Sequence, residues 1–241
     1  MLPATNSEKI TERPIVNEIL IFVNIGIFVV TYFFPWVILP NATSINDIIE
    51  FFGITPYYII NGERLWTIFT AMFIHTDIVH VLGNMLFLYI FGDSIEIALG
   101  KVKYLLFYFL SGTGAALFYV TSITLVHVPE TSSIISQMNN PWLIPAVGAS
   151  GAISGVLGAY IMLYPSSMVK TLTLWFWAPV VINFPAIIFI VIWFIYQLVL
   201  AVLTTFSAVY TGIAFWAHVG GFLTGIAVIP FFARKKFIKA F

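Results

Sequence analysis

Cysteine is absent from the 241 residues, and charge is scarce: 8% of the chain is Asp, Glu, Lys or Arg, against about 25% in an ordinary soluble domain. Without cysteine there can be no disulfide, zinc–thiolate site or iron–sulfur cluster. Ten basic residues balance ten acidic ones, so no net field recruits nucleic acid. The polar surface is too small to solvate a globule, which excludes a soluble enzyme and a disordered chain. What is present is apolar: 61% hydrophobic residues and a mean hydropathy of +1.02. The expectation is an all-α, polytopic membrane protein. About six helices of ~20 residues would use half the chain to cross a bilayer.

The apolar stretches predict spans near 19–39, 77–97, 104–126, 146–164, 186–204 and 212–232. A polar segment, 1–18, precedes them and a basic tail, 233–241, follows. The first stretch is too long and aromatic for a cleaved signal. Between the first two spans, 40–75 mixes Asp47, Glu50, Glu63 and Arg64 with aromatics, which suits a structured interfacial loop. The stretch 165–185 is expected to lie along the membrane face. No internal repeat or linker divides the chain, so one six-span domain, 19–232, is the economical reading. With six spans, Lys9, Arg13, Lys101, Lys103, Lys170, Arg234, Lys235, Lys236 and Lys239 share one side and Arg64 alone the other. That asymmetry puts both termini in the cytoplasm. The short termini and the lack of an organelle-targeting segment point to a prokaryotic plasma membrane.

Polar groups in hydrocarbon are costly unless they are paired or line a wet cavity. His80 and Asn84 are four apart and share one face of the second span. Ser150 stands near the start of the fourth within Gly148-Ala149-Ser150-Gly151, and His218 lies early in the sixth. Spans two, four and six run the same way, so all four residues lie roughly 6–12 Å below the outer surface. Gly151, Gly155 and Gly158 follow the serine; Gly221 and Gly225 follow the histidine at i+3 and i+7. Small residues at this spacing let helix backbones approach closely in lipid. Spans four and six are thus expected to touch, with a hydroxyl and an imidazole at matched height.

A serine needs a neighbouring base to become a nucleophile, and neutral histidine is the usual one near pH 7. Amide cleavage then requires donors aimed at an oxyanion. Asn84, His80 and the Ser150 N–H are candidates. No third residue to orient the histidine is evident, since Asp93 is ~20 Å along the helix from His80. A Ser150–His218 dyad is favoured over a triad.

These residues carry a family resemblance. The run Gly148-Ala149-Ser150-Gly151 resembles the GxSG motif of rhomboid intramembrane serine proteases. His75-x4-His80-x3-Asn84 is similar to their second-span motif, and Ala217-His218-x2-Gly221-x3-Gly225 to their sixth. Trp66 and Glu96 also fall where the family has them. The resemblance covers about 64–232. It implies a six-span rhomboid-like bundle with Ser150 as nucleophile, His218 as base, and His80 and Asn84 supporting the oxyanion. It further implies cleavage of transmembrane segments of other proteins, near their outer ends, without cofactor or metal. The expected partners are such substrates and the lipid bilayer, not nucleic acid; nothing specifies an oligomeric state. Two departures stand out. Trp66 precedes Thr67 where the family often has arginine. Ser154 stands four residues past the serine, where some members carry an aromatic that packs on the base.

Plainer readings fit the remaining polar residues. Ser154 is expected to pack, His75 to tie the first loop, and His127 to be loop. Glu96 reads as a structural anchor, and Gln197 and Asn24 as packing polar residues. No His-Glu-x-x-His motif is present for a zinc protease, and no pair of deep aspartates for an aspartyl one. The competing functions are an inactive rhomboid-like client binder and, further off, a small-solute transporter. A transporter would place its polar groups at the midplane, often between repeats.

Overall fold

A computed structural model describes residues 2–6, 13–126, 140–175, 178–207, 212–234 and 237. His127, Lys9 and most of the basic tail lie outside the described residues. The architecture is an all-α membrane bundle. Its principal helices are α1 (Ile15–Phe33), α2 (Ile78–Leu99), α3 (Lys101–Val126), α4 (Ser150–Leu163), α5 (Ala186–Ser207) and α6 (Phe215–Phe232). All but α4 are long and apolar enough to cross a membrane; α4 is a shorter apolar helix.

Helix starts and stops differ from the apolar stretches for local reasons. Helix α1 ends at Phe33, before Phe34 and Pro35, because the residue preceding a proline is pushed out of the helical region. Helix α4 starts at Ser150 and not at 146. Ala146 pairs with Ile54 in an antiparallel bridge, and Gly148 has φ +119°, a conformation that suits glycine. Helix α6 starts at Phe215, after Gly212 at φ +77°. Ser150 and His218 therefore both stand in the first turn of their helices.

The core around the site is a close contact of α4 with α6, backed by α3. A Cβ at Gly221 would run into the Gly151 carbonyl, and one at Gly225 into the Gly155 carbonyl. The two backbones thus touch, which is the packing that small residues permit where no hydrophobic effect drives helices together. The loop of residues 34–77 is built of short helices, Pro35–Ile38, Ile45–Phe52, Pro56–Ile60 and Thr67–Thr70. Asp47 accepts from the Thr43 and Ser44 N–H groups at 2.7 and 2.9 Å, and these bonds hold its carboxyl below the usual carboxylate range. Arg64 donates to the Glu50 carbonyl at 3.2 Å and lies 4.0 Å over the Tyr58 ring. Thr67 is buried and donates to the Arg64 carbonyl at 2.8 Å. The brace of this loop is thus the arginine two residues before Trp66.

At the far end of α2 a turn of π-helix, Leu88–Gly92, stands beside Asn17 of α1. The Asn17 amide donates to the Leu88 carbonyl at 2.9 Å and to Asp93 at 2.7 Å. Glu96 accepts the N–H groups of Val16 and Asn17 at 3.1 and 2.6 Å, satisfying donors at the start of α1 that have no intrahelical partner. It anchors a helix end. The stretch 165–185 is mostly a hairpin, β2 (Met168–Trp175) with β3 (Ala178–Pro185), and β1 (Leu2–Asn6) pairs with β2 to give an antiparallel order β1-β2-β3. The stretch was expected to lie along the membrane face, and the strands were not foreseen; pairing lets its backbone groups satisfy one another.

Candidate active site

The segment entering α4 is knitted to the first loop. Ile54 and Ala146 exchange N–H···O bonds of 2.8 and 2.9 Å, and the Gly148 N–H donates to Ala71 at 2.8 Å. These bonds set the position from which Ser150 enters its helix. Being first in the helix, Ser150 has a backbone N–H without an intrahelical acceptor, at the end where the helix dipole favours negative charge.

Ser150 Oγ lies 2.7 Å from His218 Nε2. Both residues are half-buried, and both line a cavity of about 840 Å³ together with His80, Asn84, Gly148 and Gly151. A Cβ at Gly148 would stand 2.7 Å from His80 Nε2 and 3.6 Å from Asn84 Nδ2. Both side chains of α2 thus converge on the backbone that leads into the serine. The Asn84 amide nitrogen is buried with no partner among the described residues. All four candidate residues meet in one pocket, as do Gly148 and Gly151; Gly221 and Gly225 lie behind it, at the α4–α6 contact.

The neighbours of His80 explain its pose. The Asp77 carboxylate caps α2 by accepting the His80 N–H at 2.9 Å and also accepts the Thr76 hydroxyl at 2.7 Å. These bonds hold its carboxyl below the usual range. Thr76 Oγ1 is 3.0 Å from His80 Nδ1. His75 is fully buried, its ring 5.0 Å from that of His80. Burial first, and His80 second, push its pKa down to about 3, so it is neutral. Ser154 donates to the Ser150 carbonyl at 2.6 Å, a bond within its own helix.

One neighbour was missed by the sequence reading. Gln197 of α5, expected only to pack, places Oε1 at 2.8 Å from His218 Nδ1. The available signal was a lone carboxamide in an otherwise apolar helix, beside a histidine lacking a partner.

The family model for the Rhomboid domain matches residues 62–235, a stretch that includes every residue of this pocket from His80 to His218. The chain belongs to the rhomboid family. Among curated relatives it is similar to RHOMBOID-like protein 12, mitochondrial, of Arabidopsis thaliana, 30% identical over 67% of this chain and 44% of the relative. It is similar also to Rhomboid protease AarA of Providencia stuartii, 30% identical over 59% of this chain and 48% of the relative. A third is Rhomboid-like protease 3 of Toxoplasma gondii, 26% identical over 71% and 53%. The chain thus spans about half the length of these rhomboid relatives. They come from a bacterium, a plant and a protozoan, and one is named mitochondrial. The family match and the apolar helices make this an integral membrane protein.

Proposed function

We propose that the chain is an active rhomboid-type serine endopeptidase, cutting peptide bonds in or near transmembrane segments of other membrane proteins. The single observation that carries this reading is the 2.7 Å contact of Ser150 Oγ with His218 Nε2 inside a cavity. Ser150 attacks the scissile carbonyl while His218 takes its proton. The oxyanion accepts from the Ser150 N–H and the Asn84 amide, with His80 beside them. Collapse of the tetrahedral intermediate breaks the C–N bond. His218 returns the proton to the leaving amine, and an acyl-serine remains. Water then attacks, gives a proton to His218, and the acid leaves as Ser150 regains its hydrogen. No metal or cofactor enters this scheme.

The substrate reading, helices with small or helix-destabilising residues near their outer ends, follows from the family. Lys101, Lys103 and Arg234 lie on the side away from the pocket, which by the positive-inside rule is cytoplasmic. Curated relatives include mitochondrial and chloroplastic rhomboid-like proteins, so the family match supports an integral membrane location and not a prokaryotic plasma membrane in particular. The test is cleavage of a tagged single-span reporter in proteoliposomes. Ser150→Ala and His218→Ala should each abolish it. Cleavage at the wild-type rate in Ser150→Ala would overturn the reading, and wild-type protein that moves a solute but cuts nothing would favour transport.

A further inference from the structure

We propose that Gln197 is the positioning residue for the base: its side-chain carbonyl fixes the tautomer of His218 that leaves Nε2 bare toward Ser150. The inference rests on the proposed dyad and adds a third member to it, a neutral one.

The argument is one of hydrogen counting. A neutral imidazole carries one N–H, and the partner of one ring nitrogen decides which nitrogen bears it. His218 Nδ1 is 2.8 Å from Gln197 Oε1, and Nε2 is 2.7 Å from Ser150 Oγ. A carbonyl oxygen only accepts, so Nδ1 holds the hydrogen and Nε2 accepts from the serine hydroxyl. Turning the amide over would point its NH₂ at Nδ1 and move the ring hydrogen to Nε2. Nε2 would then donate to the serine oxygen instead of accepting its proton. Only the first arrangement is productive.

Position supports the same assignment. Gln197 is buried at 6% exposure. Ser154 is committed to its own helix, so α4 offers nothing to orient the base. The Trp193 and Phe215 rings flank the imidazole at centroid distances of 6.1 and 6.3 Å but accept no ring N–H in its plane. A carboxylate in this apolar helix would carry a heavy desolvation cost; an amide orients the ring without it. Helices α5 and α6 are also tied by the Trp216 indole N–H, which donates to Thr205 at 2.9 Å, so the fold does not depend on Gln197 alone.

The experiment compares pH profiles of reporter cleavage for wild type, Gln197→Leu and Gln197→Glu in proteoliposomes, with thermal melts of each and Ser150→Ala as the control. Asp77, His80 and Tyr119, the titratable side chains that share the cavity with His218, are the same in all of them. Gln197→Leu should lower kcat about 10- to 100-fold, the scale of a slightly misplaced reacting group, with KM changed less than about twofold. Gln197→Glu should restore rate at high pH and move the acid limb up by about 1–3 units, since a carboxylate beside the ring favours its protonated, inactive form. Leu and Glu variants that lose rate equally with an unmoved acid limb would overturn the inference and leave Gln197 an interhelical tie, as would a Leu variant with wild-type kcat. If the Leu variant fails to fold, the Glu profile decides. Ser150→Ala cleaving normally would instead overturn the serine reading itself, which separates the two failures.

Discussion

Two polar clusters sit at opposite ends of α2, and they handle the same solvation problem differently. At one end Asn17, Asp93, Glu96 and Tyr104 are all buried and saturate one another. Glu96 accepts two backbone N–H groups, Asn17 donates to Leu88 and Asp93, and the Tyr104 hydroxyl donates to Asn17 Oδ1 at 2.6 Å. At the other end Ser150, His218, His80 and Asn84 line a cavity, and the Asn84 amide nitrogen has no partner among the described residues. A closed network returns its desolvation cost as rigidity. An open one retains unspent donors, and unspent donors beside a nucleophile are what chemistry requires. The contrast teaches that an expensive residue in a membrane bundle is read by whether its partners exhaust it.

The comparison breaks if substitutions at the two ends have interchangeable effects. The largest effect is expected at the open end: His218→Ala should lower cleavage by about 10⁴-fold or more while leaving the melting temperature in detergent nearly unchanged. Asn84→Ala should cost less, up to about 10²-fold in kcat, because the Ser150 N–H remains as a donor. At the closed end, Glu96→Gln turns an amide NH₂ toward N–H groups that now have one acceptor fewer. It should destabilise by about 1–3 kcal/mol, seen as a lower melting temperature, with kcat below that temperature unchanged. A large loss of kcat in folded Glu96→Gln would erase the distinction.

The smallest effect sharpens the contrast through pH. His75 stays neutral in the folded protein down to about pH 3, whereas its ordinary value is 6.5. Its contribution to stability is therefore complete above about pH 6.5. As pH falls below that value the unfolded chain takes up a proton that the folded one refuses, and stability is lost progressively toward pH 3. Melting temperatures of His75→Phe should fall less steeply than wild type across this window. Parallel slopes would mean that His75 is not a source of acid sensitivity.

Much of this was legible in the chain because lipid makes polarity costly. Ser150, His218, His80 and Asn84 stand out against apolar neighbours, and helical spacing is enough to put them at one depth. The glycines at 151, 155, 221 and 225 announce a helix contact for the same reason. Helix starts were less legible, since apolar composition runs on through Pro145 and Gly148 into Ser150 and conceals where φ changes sign. The strands at 168–175 and 178–185 were concealed because short apolar runs bounded by proline suit a surface stretch as well as a hairpin. Gln197 was passed over for a different reason. Periodicity places it on a helix, but which helix faces Nδ1 of His218 is a property of the assembled bundle.

The most direct test is mass-spectrometric mapping of a fluorophosphonate probe on the full chain in detergent or liposomes. The expected result is one adduct, on Ser150, absent in Ser150→Ala and strongly slowed in His218→Ala. An adduct at another residue, or labelling of Ser150→Ala as fast as wild type, would contradict the claim that the imidazole of α6 activates the hydroxyl of α4.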